Sequence, residues 1–167
     1  MHAPAGHQPA PTQSNAGLMQ YLGDQSYVTA DAAFRAVHTL WKGAIFTGDF
    51  DALAQALADG GIISAGWNLS HDTYVDRAAV GFMVARAVGV RTGVNWQLTG
   101  LGRYAWRELQ FRGIAGPGSE WGLISGGEMQ GVLARADEYA QRRGLRADER
   151  VQLGAETSTP PARSTSR

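Results

Sequence analysis

Three short stretches of this chain open a helix in the same way: Val28-Thr29-Ala30-Asp31-Ala32, Val75-Asp76-Arg77-Ala78-Ala79 and Ile124-Ser125-Gly126-Gly127-Glu128. Each begins with a β-branched residue and continues with Thr, Asp or Ser, which are favoured helix N-caps. The stretches start 47 and 49 residues apart. Recurrence at such an interval is typical of small units that cannot fold alone and that share one core. The sequence therefore predicts a repeat module.

Caps, apolar spacing and glycines predict five helices and an all-α fold. The predicted ranges are 30–42, 50–59, 77–88, 103–112 and 126–141. Their predicted N-caps include Thr29, Asp49, Asp76 and Ser125, and Ser125 with Glu128 has the spacing of a capping box. The order is one long helix, followed twice by a short helix, a turn and a long helix.

Superposing the three openings aligns four positions that are apolar in every copy. These positions are Ala33/Val80/Met129, Ala36/Met83/Val132, Val37/Val84/Leu133 and Leu40/Ala87/Ala136. Matched apolar positions predict that three helices line one shared centre. Both predicted short helices end in a Gly-Ile step, Gly61-Ile62 and Gly113-Ile114. The first copy has no predicted short helix, and a second protomer could supply one.

Composition divides the chain into a folded part and two tails. Residues 1–20 consist mainly of Ala, Pro, Gln, Ser, Asn and Gly, which predicts a disordered N-terminal segment. Residues 21–142 are the predicted helical repeat domain. Residues 143–167 contain a Ser/Thr/Pro-rich stretch and are the predicted disordered C-terminal tail.

Charge and composition exclude several classes of function. The formal net charge is zero at pH 7, which gives no global field for nucleic acid or an anionic membrane. The chain has no cysteine, which excludes disulfides, zinc–thiolate sites and a thiol nucleophile. No apolar stretch is long enough to span a bilayer. No motif predicts a metal or another cofactor.

The repeated pattern resembles the S-layer homology module. Its best copy runs from Asp51 to Gly89: a short helix, a Gly-Ile-Ile step, the opening Tyr74-Val75-Asp76-Arg77-Ala78-Ala79, and a helix that ends in Ala-Arg-Ala-Val-Gly. A second copy spans Arg103 to Tyr139, and the similarity covers about residues 27–140. The resemblance implies a pseudo-threefold helical prism that attaches proteins non-covalently to cell-wall polysaccharide.

The openings depart from that family's combination of Thr, Arg and an acidic residue. The first copy has Thr29 but Ala30 in place of Arg, the second has Arg77 but Ala79 in place of the acid, and the third has Glu128 without the Arg. The resemblance therefore implies the fold more strongly than it implies polysaccharide binding.

Four residues are candidates for ligand binding: Trp67, Arg77, Trp121 and Glu128. An exposed loop Trp offers a flat apolar face to a sugar ring, and the alternative is that each Trp plugs its loop onto the core. The Arg77 fork suits an anionic sugar substituent, and the alternative is an ion pair with Asp72 or Asp76.

An enzyme is the least favoured of three hypotheses. A glycosidase needs two carboxylates that face a cleft, and no spacing pairs Glu108, Glu120 or Glu128 with another acid. His71-Asp72 is an adjacent pair in a loop, which does not make a catalytic dyad. His38 lies beside the apolar face of its helix, as a structural histidine does.

We therefore expect a non-catalytic binding module that attaches to cell-envelope polysaccharide. The alternative is a degenerate S-layer-homology-like scaffold for protein–protein interaction, and a small enzyme acting on cell-wall glycan is the third option. The loop tryptophans favour the first hypothesis and the incomplete motifs favour the second. The resemblance implies the cell envelope. Residues 1–20 lack the basic and apolar runs of a leader, so the protein is expected in the cytoplasm if that absence is genuine, and in the envelope if a leader is missing from this sequence. Oligomeric state and ligand identity stay open.

Overall fold

The computed structural model describes residues 1–90 and 102–144. Over these ranges the protein is all-helical, with six helices and no β-strand. The helices are α1 (Asn15–Gly23), α2 (Ala30–Lys42), α3 (Phe50–Asp59), α4 (Arg77–Ala87), α5 (Gly102–Phe111) and α6 (Gly126–Arg142). The predicted C-terminal tail, 143–167, lies outside the described residues from position 145 onward.

The five predicted helices are present, with ends that differ from the prediction by at most one residue. Asp49, Asp76 and Ser125 cap their helices, because each side chain accepts a hydrogen bond from the backbone N–H three residues further on. Thr29 occupies the N-cap position of α2, but its side chain makes no capping hydrogen bond. Backbone contacts described below satisfy the donors of that helix instead.

The prediction of disorder over residues 1–20 is wrong. Ser14 caps α1 by accepting the N–H of Gly17, and Leu18 and Leu22 of this helix are fully buried. These two are the fully buried positions of α1, Met19 and Tyr21 are partly buried beside them, and Gly17, Gln20 and Gly23 interrupt the apolar pattern in sequence. Tertiary packing therefore stabilises a helix that local sequence does not indicate.

The helix α1 supplies the short helix that the first copy lacked in the sequence prediction. Each copy then has a short and a long helix: α1 and α2, α3 and α4, α5 and α6. Each short helix packs on the long helix of the copy before it, α3 on α2 and α5 on α4. Because α1 packs on α6, the three copies close into a circle within one chain. A second protomer is not needed to complete the first copy.

Three backbone hydrogen bonds join the helix openings in a closed ring. The N–H of Val75 donates to the carbonyl of Val28 at 3.0 Å, and the N–H of Val28 donates to Ile124 at 3.0 Å. The N–H of Ile124 donates to Val75 at 3.4 Å and completes the ring. These three residues, which open the repeated stretches, are all buried. The ring relates the three copies in one cyclic order.

The ring continues into the first turns of the long helices, whose N–H groups have no partner within the helix. Ala30 donates to the carbonyl of Thr73 at 2.7 Å, and the equivalent Arg77 donates to Gly122 at 3.0 Å. Gly126, the third equivalent residue, donates to Gln25 at 3.0 Å. Each long helix is thus capped by the loop between the short and the long helix of the next copy.

The predicted core positions lie in one buried cluster. All twelve aligned residues are buried except Leu40, which is half-buried and packs against the cluster. Val37, Val84 and Leu133, which superpose in sequence, belong to the same core. The apolar alignment therefore identified the core of the described part of the chain.

Residues 1–10 form an extended segment, here called the strap, across the junction of the first and second copies. The N–H of Ala3 donates to the carbonyl of Asp72, and the N–H of Tyr74 donates to Met1, both at 2.9 Å. At the other end, the Tyr21 hydroxyl donates to the carbonyl of Gln8 at 2.8 Å. That hydroxyl also lies 2.8 Å from Nε2 of His7, which must then be the donor.

Gly126 is required by the closure of the circle. A Cβ at this position would lie 1.6 Å from the carbonyl oxygen of Leu22, whereas a Cβ at the next residue, Gly127, would meet nothing within 4 Å. We expect Gly126→Ala to lower the free energy of unfolding by about 2–3 kcal/mol through overpacking against the backbone. Gly127→Ala, in the same helical turn, is the matched control and should be neutral or stabilising. Denaturant titration measures both, and equal effects would contradict the close approach.

Tyr21 should make stability depend on alkaline pH. Burial, followed by the charges of Asp31 and Tyr74, raises its pKa from 10.0 to about 12. The folded protein holds this proton more tightly than the unfolded chain, so the contribution is present below pH 10.0 and is lost as the pH rises through about 12. We expect the free energy of unfolding to fall less steeply over this interval in Tyr21→Phe than in the wild type. Identical slopes in denaturant titrations would refute this.

Candidate functional site

Arg77 and Glu128, two of the four predicted ligand-binding residues, bind each other across the junction of the second and third copies. Nε of Arg77 donates to Oε1 of Glu128 at 2.7 Å, and Nη2 donates to Oε2 at 2.9 Å. The two side chains are 22% and 21% exposed, so water still reaches the pair. The hydrogen bond to Glu128 raises the pKa of Arg77 above its ordinary value. The alternative prediction, an ion pair of Arg77 with Asp72 or Asp76, is wrong.

The loop before α6 holds the guanidinium from the other side. Nη1 of Arg77 donates to the carbonyl of Ser119 at 3.3 Å. The backbone of Gly122 packs closely against the guanidinium: a Cβ at this residue would lie 2.2 Å from Nη1. These contacts use three of the five guanidinium N–H groups. One N–H on each terminal nitrogen has no partner among these contacts, and guanidinium N–H groups bind carboxylate or phosphate oxygens.

Trp121 stands in the same loop, between two residues that touch Arg77. It is 65% exposed and is one of the few large apolar side chains on the surface of the described residues. Its chain neighbour Gly122 accepts the backbone N–H of Arg77. Arg77 contacts Ser119, Gly122 and Glu128, and Trp121 adjoins Gly122 in the chain; we call these five residues the Arg77 groove.

The other two junctions lack this chemistry. At the first junction the positions equivalent to Arg77 and Glu128 hold Ala30 and Ala79, and at the third they hold Gly126 and Ala32. The strap covers the first junction, and the third is closed where Gly126 meets Leu22. The three equivalent junctions have therefore diverged into three different surfaces.

Trp67 lies apart from the other candidates, in the loop after α3. Its ring is half-buried, packs against the core and is tilted against Phe82 of α4, with ring centroids 5.4 Å apart. Trp67 also lines a shallow cavity of about 250 Å³ together with Gln55 and Asn68. Its position agrees with the alternative in which a Trp plugs its loop onto the core.

Glu128 makes two contacts, one through its backbone and one through its carboxylate, and the sequence predicts only the first. Its backbone N–H is capped by Ser125 Oγ at 3.2 Å, as the capping-box spacing predicts. Its carboxylate, however, binds Arg77. The capping serine therefore sets the position of Glu128 in the first turn, and the neighbouring copy determines where its side chain binds.

The remaining glutamates of the core are each paired with an arginine. Glu108 of α5 binds Arg112, which directly follows that helix, at 2.7 Å, and the buried Glu120 binds the exposed Arg107 at 2.9 Å. Each carboxylate thus has a guanidinium as its partner, as Glu128 does.

His38, His71, Asp72 and Arg135 each contact other residues of the fold. Asp72 binds His2 of the strap at 3.2 Å, while the ring of His71 packs edge-on against Phe50. Burial lowers the pKa of His38, whose Nδ1 lies 3.0 Å from the carbonyl of Ala44. In α6, Arg135 donates to the carbonyl of Ile114 at 2.7 Å and so binds the Gly-Ile step of its own copy.

The described residues contain no cluster of His, Asp and Glu that could hold a metal ion. Within those same ranges, no helix has the length and apolar character needed to cross a membrane. Comparisons of the chain with protein-family models, with curated proteins and with solved structures find no match.

The contacts of Ser119, Gly122 and the strap are not predicted by the sequence. Ser119 and Gly122 act through a backbone carbonyl and through the absence of a side chain, which leave no pattern in one sequence. One position could have been predicted from the repeat alignment. Gly122 lies two residues before Ile124, as Thr73 lies two residues before Val75, and the carbonyl of Thr73 caps α2. The strap is held mainly through its backbone, so its Ala/Pro composition did not distinguish it from a disordered tail.

The Arg77–Glu128 pair should contribute measurably to stability. A double-mutant cycle with Arg77→Gln and Glu128→Gln should give a coupling energy of about 1–2 kcal/mol, because the pair is bidentate and partly buried. The matched control is Glu138 with Arg142 on α6, which are 3.7 Å apart and well exposed. That pair should couple by less than about 0.5 kcal/mol. Equal coupling in the two cycles, measured by denaturant titration, would argue against a structured groove.

Proposed function

We propose that this chain is a non-catalytic module that binds an anionic polysaccharide of the bacterial cell envelope through the Arg77 groove. The observation that carries the proposal is the bidentate Arg77–Glu128 pair, which is contacted by the loop that bears the exposed Trp121. The two features supply the two contacts that a charged sugar needs.

The chemistry of the groove supports an anionic sugar. The outer N–H groups of Arg77 suit the oxygens of a carboxylate or phosphate substituent, and the Glu128 carboxylate keeps the guanidinium in place. The indole of Trp121 offers a flat apolar face to the C–H face of the ring. Glu128 also excludes a second anion from its side of the guanidinium and can accept a sugar hydroxyl.

The arrangement of the copies supports kinship with the S-layer homology module. In this proposal the circle of three short and three long helices is a degenerate pseudo-threefold prism of that kind. The ring through Val28, Val75 and Ile124 is what a threefold arrangement requires, because each copy uses the same residue for the same bond. The alternative, a scaffold for protein partners, draws support from the two junctions that lack the Arg and the acid.

Retention on isolated bacterial cell wall tests this function. We expect the wild-type protein to sediment with the wall, and Trp121→Ala and Arg77→Gln each to weaken retention by about tenfold, which corresponds to about 1.4 kcal/mol per lost contact. Phe111→Ala is the matched aromatic control, because Phe111 is 88% exposed at the end of α5, outside the groove. Trp67→Ala should also leave retention unchanged.

The chemistry of the wall gives a second comparison. Removal of acidic substituents from the wall preparation should reduce binding of the wild type to the level of Arg77→Gln. Absence of wild-type retention on walls from several bacteria would exclude the proposed function. Equal retention of wild type and Trp121→Ala would exclude the Arg77 groove as its site.

A further inference from the structure

We propose that the junction between the first and second copies is a docking groove for an extended peptide, which the strap fills within the chain and a partner segment can displace. The partner's segment carries a basic or imidazole side chain between apolar residues larger than alanine. This groove is separate from the Arg77 groove, and the inference does not depend on polysaccharide binding.

The strap binds as a docked peptide does, through its main chain. Ala3 donates to the carbonyl of Asp72, Met1 accepts from Tyr74, and His2 lies opposite Thr73 in an antiparallel bridge. Main-chain pairing of this kind provides affinity that is largely independent of side chains, and the pockets for side chains provide specificity. The edge at Asp72–Tyr74 is therefore a surface that accepts an extended segment.

The strap fills its groove poorly. A cavity of about 360 Å³ remains between the strap and the body of the protein. On the strap side its walls include Ala3, Ala5 and Ala10, whose side chains are single methyl groups. A segment with larger apolar side chains at positions 3 and 5 would bury more apolar surface in this cavity and bind more tightly. The alanines thus make the strap a weak occupant that a better-fitting segment can replace.

The body side of the groove favours a basic side chain on the partner. Asp31 and Asp72 line the cavity together with His71 and Thr29. Asp31 is buried and is bound by Arg35 at 2.9 Å, whereas Asp72 is bound from the strap by His2. Hydrogen bonds from Ser70 and His2 hold the pKa of Asp72 below its ordinary value, so the carboxylate is ionised. The contact of His2 with Asp72 is the one that a partner's basic residue would take over.

Two proline substitutions provide a matched pair for the test. Ala3→Pro removes the N–H that binds Asp72 and should release the strap. Ala5→Pro adds the same ring at position i+1 of a turn in which His7 donates to Pro4 and Gly6 has φ of 91°. Proline is favoured there, so this control should keep the strap in place. Tyr21→Phe, which removes the hydroxyl that binds Gln8, is a second releasing variant within the body of the fold.

The experiment uses the full-length chain and a fluorescent peptide with the sequence of residues 1–12. Amide exchange at Tyr74 reports strap docking, and exchange at Val75, which binds Val28, reports the fold. We expect Ala3→Pro and Tyr21→Phe to lose protection at Tyr74, to keep it at Val75, and to bind the peptide at least about tenfold more tightly than wild type and Ala5→Pro. A peptide with Leu at position 5 should bind more tightly, and one with Asp at position 2 more weakly.

Three results would count against the displaceable strap. Failure of the peptide to bind a releasing variant that has lost protection at Tyr74 and kept it at Val75 would overturn the proposal. Persistent protection of Tyr74 in both releasing variants would also overturn it, because the strap would then not be displaceable. Equal binding of the Leu and Asp peptides would refute the stated chemistry of the partner.

Discussion

The structure depends on one constraint: the backbone N–H groups that begin each long helix must find acceptors outside that helix. An α-helix cannot satisfy its first donors internally, and buried donors without partners are costly. Here each copy obtains its acceptors from the next copy, through the ring of Val28, Val75 and Ile124 and the loops beside it. Within a copy, Asp76 and Ser125 each cap one donor of their own helix, whereas the donors that begin the helices depend on the neighbouring copy.

The same constraint places the candidate site. Because the N–H of Arg77 binds Gly122, the loop before α6 must run beside the first turn of α4. The first turn of α6 follows within a few residues and brings Glu128 to the guanidinium. Capping of one helix by the next copy thus creates a junction at which side chains from two copies form an ion pair.

The three junctions show how a repeated frame accommodates different surfaces. The backbone bonds recur, but the side chains beside them differ: an ion pair at one junction, a docked strap at another, and a glycine packed on a carbonyl at the third. The ring itself uses backbone atoms, so its hydrogen bonds do not specify which side chains stand beside them, except where the backbones approach as closely as at Gly126. The junctions are therefore free to diverge in what they bind.

The sequence by itself determined the five helices with strong caps or apolar faces and the aligned core positions such as Val37, Val84 and Leu133. These features follow from local chemistry and from periodicity, which a single sequence displays. Only the tertiary structure decided that residues Asn15–Gly23 are helical, that Arg77 pairs with Glu128 and not with Asp72 or Asp76, and that residues 1–10 are docked. The reason is that each of these depends on groups far apart in the chain, on backbone acceptors or on burial, and none of them has a local sequence pattern.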